Sequence, residues 1–113
     1  MHEVSVAANI MNIVQEEMSR QPGRKVDEVH LQVGSLSGVV IDSLRFALDA
    51  SRNDGVLNGA EIIIEECEAK VRCVNCSHEF PANDYFTVCP RCQGVQLDFL
   101  SGRELFVKSI VFS

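Results

Sequence analysis

The sequence predicts an α+β protein: a small three-stranded antiparallel sheet carrying two helices, with a zinc-ribbon-like module inserted between the last two strands. Three observations lead there. Apolar residues recur at helical spacing in two stretches and alternate in three others. The elements run helix, strand, helix, strand, cysteine module, strand. Four cysteines fall into two Cys-x-x-Cys pairs, Cys73/Cys76 and Cys89/Cys92, separated by twelve residues.

Residues 4–20 form the first predicted helix. Ser5, Asn9, Asn12, Glu16 and Arg20 mark its polar face, and Val6, Ala7, Ile10, Ile13, Val14 and Met18 its apolar one. Met11 and Met18 are read as packing. Pro22 and Gly23 end the helix. Residues 25–33 alternate, with Val29, Leu31 and Val33 on one face and His30 and Gln32 on the other. That is a half-buried strand with His30 outward. After the Gly34–Gly38 loop comes a second helix from Asp42, its expected N-cap, to Ser51. Its apolar stripe is Leu44, Ala47 and Leu48, and Asn53-Asp54-Gly55 and Asn58-Gly59 close it. Ala60–Arg72 reads as one long strand entering the module, and Glu104–Phe112 as the strand that leaves it. These two are expected to pair, with the cysteines at their tip. Phe80, Tyr85 and Phe86 are expected to cover the metal loop.

Four thiolates in two tight turns suit Zn²⁺, which takes four soft ligands at about 2.3 Å in a tetrahedron. Two disulfides, a redox Cys-x-x-Cys pair and a rubredoxin-like iron site compete with this reading. The absence of an export signal favours reduced thiols. Redox pairs come singly beside a βαβ unit. Rubredoxin-like sites have a longer segment between their pairs. Cys67 lies outside both turns and reads as packing, and His78 would be a surplus ligand. A closed four-cysteine site is structural and offers no open position for catalysis.

At 113 residues and 46% hydrophobic residues there is room for one small core plus the module. No apolar run reaches the roughly 18 residues of a membrane span, so a cytoplasmic protein is expected. The net charge of −6 disfavours nucleic acid as a partner. No cluster of nucleophile and base points to an enzyme.

The start of the chain, Met1-His2-Glu3, precedes a helix. With Gly34-Ser35-Leu36-Ser37-Gly38-Val39, Leu44-x-Phe46 and the four cysteines, in this order and spacing, the sequence resembles the HypA/HybF family of hydrogenase nickel-incorporation proteins over nearly its whole length. The resemblance implies a nickel metallochaperone: Ni(II) bound transiently at Met1, His2 and Glu3, and structural Zn(II) at Cys73, Cys76, Cys89 and Cys92. It implies work with the GTPase HypB and delivery to a [NiFe]-hydrogenase large-subunit precursor, with urease a further recipient in some organisms. Self-association into a homodimer stays open. The division implied is a nickel-binding domain, 1–71 and 98–113, and a zinc module, 72–97.

Chemistry at the start is consistent with that. The α-amine, the His2 imidazole and deprotonated backbone amides offer a nitrogen-rich plane, which suits Ni²⁺. A histidine near a terminus is also commonly just a flexible residue. The residues after the two turns, Ser77-His78 and Gln93-Gly94, depart from the glycine the family often has immediately there. A zinc-ribbon interaction module without transferable metal is the second reading.

Overall fold

The computed structural model describes residues 3–52, 55 and 57–113. Helix α1 spans Glu3–Ser19 and buries Val6, Ala7, Ile10 and Val14. Asn9, Asn12 and Glu16 are exposed, as the period requires. Ile13 is 43% exposed, so it lies off the buried stripe. Amides of Arg20 and Gln21 bond back to the Glu17 and Met18 carbonyls, and Gly23, at φ 81°, turns the chain away.

Strand β1 (Val26–Gly34) buries Val29, Leu31 and Val33. His30 is half-buried, with Nε2 2.8 Å from Glu28 Oε1. Helix α2 spans Ile41–Ser51 and buries Leu44 and Leu48. Asp42 is not its N-cap. Val40 holds that place in an extended conformation with no side-chain cap, and its carbonyl accepts the Leu44 amide at 2.9 Å. Asp42 sits in the first turn instead, where a carboxylate still meets the positive end of the helix dipole. The two helices pack against each other.

The expected strand over 60–72 is two strands in different sheets. β2 is Glu61–Cys67 and β3 is Lys70–Cys73. The chain breaks at Ala69, whose amide reaches Ser35 Oγ at 3.2 Å and whose carbonyl accepts the Ala82 amide at 3.0 Å. Gly102 crosses here so closely that a Cβ on it would lie 2.4 Å from Ala69 Cβ.

β4 (Glu79–Pro81), β5 (Leu97–Ser101) and β6 (Leu105–Phe112) complete the elements. The first sheet has the order β2-β1-β6. The strands expected to pair with each other therefore flank β1. Lys25 and Ser113 exchange both backbone bonds, 3.3 and 2.8 Å, so β6 runs antiparallel to β1. Just past the end of β1, and at the last residue of β2, the strands that α2 connects, the Ser35 amide meets the Cys67 carbonyl at 2.8 Å. Those two strands run in the same direction. The second sheet, β4-β3-β5, is antiparallel, with Val71 opposite Phe80 on one side and Phe99 on the other.

The chain forms two compact units. One holds Met1–Gln32, Val39–Glu65 and Phe106–Ser113. Its buried side chains include Val14, Val29, Leu31, Leu44, Leu48 and Leu57, each worth about 1.5–3 kcal/mol on burial. The other holds Val33–Gly38 and Glu66–Leu105. Its core is Ala69, Val71, Cys73, Phe80, Ala82 and Cys89, with Leu36, Leu97 and Phe99 packed on it.

Candidate metal centre

Two turns of equivalent build present the sulfurs. In the first, the Ser77 amide bonds the Cys73 carbonyl at 2.9 Å and the Cys73 amide bonds the His78 carbonyl at 2.9 Å. In the second, the Gln93 amide bonds the Cys89 carbonyl at 2.8 Å and the Cys89 amide bonds the Gly94 carbonyl at 3.0 Å. Each turn closes only if the residue after its second cysteine is left-handed. Ser77 and Gln93 accordingly have φ 64° and 61°, a region that costs an L-residue about 1–2 kcal/mol. The departures from glycine thus leave the turn intact and place strain in it.

Backbone amides aim at the sulfurs in the same pattern twice. Those of Asn75 and Cys76 face the Cys73 sulfur and that of His78 faces Cys76. Those of Arg91 and Cys92 face Cys89 and that of Gly94 faces Cys92. Gly94 is also required sterically. A Cβ there would lie 2.9 Å from Asn75 Nδ2 and 3.2 Å from the Cys92 sulfur.

The four Sγ atoms lie within 4.8 Å of one another. Cys73–Cys92 and Cys76–Cys89 are each 3.5 Å apart. A tetrahedron with metal–sulfur bonds of about 2.3 Å has edges of about 3.8 Å, whereas a disulfide needs about 2.05 Å. The donor set and its spacing fit zinc and rule out bridging in this arrangement. Cys73 and Cys89 are buried and Cys76 and Cys92 exposed.

The sulfurs titrate as pairs. The Cys76 amide holds the Cys73 thiol below its ordinary range, against the effect of burial. Burial pushes Cys89 up, but the amides of Cys92 and Arg91 outweigh it and bring the thiol down to about 7. The His78 amide pulls Cys76 down, yet burial and the neighbouring sulfurs carry it above the usual range. The Gly94 amide likewise favours the Cys92 thiolate, but Cys73, burial and the remaining sulfurs raise it to about 12. Each sulfur pair therefore joins one group that ionises readily to one that keeps its proton. Four thiolates this close require a cation between them.

The other residues singled out fall elsewhere. Cys67 is half-buried and outside the cluster. His78 stacks on Phe80, centroids 5.7 Å apart, and does not join the four sulfurs. Phe80 is part of the module core. Tyr85 and Phe86 do not cover the metal loop: Phe86 is 92% exposed, and Tyr85 packs on Phe99 and donates its hydroxyl to the Leu36 carbonyl. Of the expected nickel ligands, Met1 and His2 lie outside the described residues. Glu3 is the half-buried first residue of α1. It borders an open groove between α1 and α2, about 840 Å³ in volume, with Val4, Met11 and Phe46 among its lining. That groove was not foreseen. The 76% exposure of Phe46 comes from its place on α2 opposite the buried stripe.

The fold and site define a small α+β protein with a zinc-ribbon-like four-cysteine centre. Comparison with known proteins narrows this. The family profile described as HypA, hydrogenase/urease nickel incorporation, metallochaperone, matches residues 1–112. A hydrogenase maturation factor HypA from Chlorobaculum parvum is 41% identical over 110 residues, covering 97% of each chain. Another from Geotalea uraniireducens is 40% identical with the same coverage. The chain belongs to the HypA family, whose role is nickel incorporation as a metallochaperone. Among solved structures, a HypA protein in solution superposes with a TM-score of 0.69 at 25% identity, covering 97% of this chain and 94% of that one. The Ni metallochaperone HypA from Helicobacter pylori shares the fold, with a TM-score of 0.66 at 22% identity over 97% and 96% of the two chains.

Proposed function

We propose that this protein receives Ni(II) at its N-terminus and delivers it during maturation of a [NiFe]-hydrogenase, with Zn(II) held permanently by Cys73, Cys76, Cys89 and Cys92. The observation carrying this reading is the family match from residue 1 to 112 in a chain that opens Met1-His2-Glu3. The Met1 amine and the His2 ring supply nitrogen donors, and the Glu3 carboxylate balances charge at the start of α1. The four cysteines take no part in transfer, because a closed tetrahedron has no exchangeable position. Nickel work belongs to residues 1–71 and 98–113, and zinc to 72–97.

Partners in this reading are the GTPase HypB and the hydrogenase large-subunit precursor, with urease a further recipient, in the cytoplasm. None of the described helices is long and apolar enough to cross a membrane. The groove beside Glu3, with Phe46 and Val4 exposed on its walls, gives a partner an apolar surface at the start of α1. The protein is not an enzyme: it binds and hands over a cation.

The test is a Ni²⁺ titration of three proteins: untagged, His2→Ala, and extended by two residues at the N-terminus. Tight binding is expected only in the first, with zinc content equal in all. Equal affinity of the untagged and extended forms eliminates amine ligation. Equal affinity of all three moves the nickel site elsewhere.

A further inference from the structure

We propose that the four-cysteine centre is also a site of oxidative modification: a hydroperoxide converts it into two disulfides that cross between the turns, Cys73–Cys92 and Cys76–Cys89, and so discharges its Zn(II). This rests on the zinc reading of the four cysteines given above. It adds that the metal is permanent only while the thiolates stay reduced.

Zinc has no redox chemistry of its own, so oxidation of such a centre falls on sulfur. Exposure decides where it starts. Cys76 and Cys92 are exposed, whereas Cys73 and Cys89 are buried. The backbone also treats the two kinds of sulfur differently. Two amides face each buried sulfur, those of Asn75 and Cys76 at Cys73 and those of Arg91 and Cys92 at Cys89. A single amide faces each exposed one, that of His78 at Cys76 and that of Gly94 at Cys92. Each N–H bond stabilises a thiolate and lowers its nucleophilicity. An oxidant therefore meets the outer sulfurs first, and these are the more nucleophilic ones.

Proximity decides which bonds form. Both close sulfur contacts, 3.5 Å each, run from one turn to the other, and each joins an exposed sulfur to a buried one. Neither joins the two cysteines of one turn. A sulfenic acid formed on the outside thus has a partner thiolate directly behind it, sheltered from further oxidant. At Cys92 a sulfur lone pair attacks a peroxide oxygen, the O–O bond breaks and hydroxide leaves. The Cys73 thiolate then attacks the Cys92 sulfur, the S–O bond breaks with loss of a second hydroxide, and the S–S bond forms. Two electrons have passed from the sulfur pair to one peroxide. Cys76 and Cys89 consume a second equivalent in the same way. Each pair has to close by about 1.5 Å to reach a bond of about 2.05 Å. The bridges keep the two turns joined and leave Cys73 and Cys89 in the module core. No thiolate remains to hold Zn²⁺.

The experiment adds hydrogen peroxide in steps to the reduced, zinc-loaded protein. A chromophoric chelator follows zinc, and mass spectrometry of alkylated, unreduced digests assigns each bridge from fragment spectra. Zinc should leave completely at about two equivalents of peroxide, one for each disulfide. The bridges should be Cys73–Cys92 and Cys76–Cys89, with Cys67 still open to alkylation. A dithiol should restore four thiols and full zinc uptake. Cys67→Ser should change neither the zinc release nor the bond pattern. Bridges within one turn, a bridge to Cys67, sulfinic acids in place of bridges, or zinc retained in excess peroxide would each overturn the proposal. Zinc content before oxidant is a separate reading: protein that purifies without zinc counts against the zinc assignment, and the bond pattern still decides this one.

Discussion

The Tyr85 hydroxyl donates to the backbone carbonyl of Leu36, 49 residues earlier in the chain. It ties the loop between the two cysteine turns to the Gly34–Gly38 segment. The same segment is held by Leu36 amide to Gly102 carbonyl at 2.7 Å and Gly34 amide to Glu104 carbonyl at 2.7 Å. Arg103 lies over the Tyr85 and Phe99 rings at 5.9 and 5.4 Å, adding cation–π attraction.

Tyr85→Phe keeps the ring contacts and removes one hydrogen bond. Its expected cost is about 0.5–1 kcal/mol, at the low end because Tyr85 is half in solvent. Thermal unfolding of the zinc-loaded protein should shift down by a few degrees with zinc content unchanged. A loss of zinc would mean that the tyrosine supports the cysteine turns themselves.

Ser77 and Gln93 hold left-handed backbone at φ 64° and 61°. Glycine removes a penalty of about 1–2 kcal/mol and adds back about 0.5–1 kcal/mol of unfolded-state entropy. Gln93→Gly and Ser77→Gly should each stabilise the protein by up to about 1 kcal/mol, read as a shift in denaturant midpoint at constant slope. Gly94→Ala should do the opposite and weaken zinc binding, since its methyl group would crowd Asn75 and the Cys92 sulfur.

Cys73 and Cys89 ionise below the usual thiol range and Cys76 and Cys92 above it. At pH above 7, zinc must displace the protons of Cys76 and Cys92. Binding should therefore release protons, and affinity should fall as pH drops. Below about 7 the Cys89 thiolate is protonated as well and the slope should steepen. Competition against a chromophoric chelator between pH 6 and 8.5 measures this. A flat profile would exclude thiolate ligation.

Replacing any one of Cys73, Cys76, Cys89 or Cys92 with Ala leaves three sulfurs. Zinc should be lost and residues 73–92 should lose their amide protection. The core around Leu44, Leu48 and Leu31 contains none of these cysteines and should keep its helical signal. A single variant retaining one tight zinc and an ordered module would refute the four-ligand assignment.

Glu16 is exposed on the polar face of α1. Glu16→Lys should leave the fold intact while weakening association with the GTPase, as measured by calorimetric titration. Unchanged association would place the contact off this face.

The four-cysteine centre was legible because each turn is built from consecutive residues, so spacing alone determines where its sulfurs can go. The two helices and β1 were legible for a related reason: burial of Val6, Ile10, Leu44 and Leu31 follows the periods of 3.6 and 2. The left-handed backbone at Ser77 and Gln93 was not, because neither residue type signals it and the requirement comes from closing the turn. Asp42 had the chemistry of a cap, but the helix begins one residue before it. What tertiary structure decided were matters of distant partnership. Apolar alternation ran on through Ala69, and only the crossing of Gly102 and the bond to Ser35 divide that stretch between two sheets. The placement of β1 between β2 and β6, and the reach of Tyr85 to Leu36, join residues far apart in sequence. Local pattern carries which face of a strand is buried. It carries no information about which neighbour completes the strand's hydrogen bonds, because every strand offers the same backbone groups.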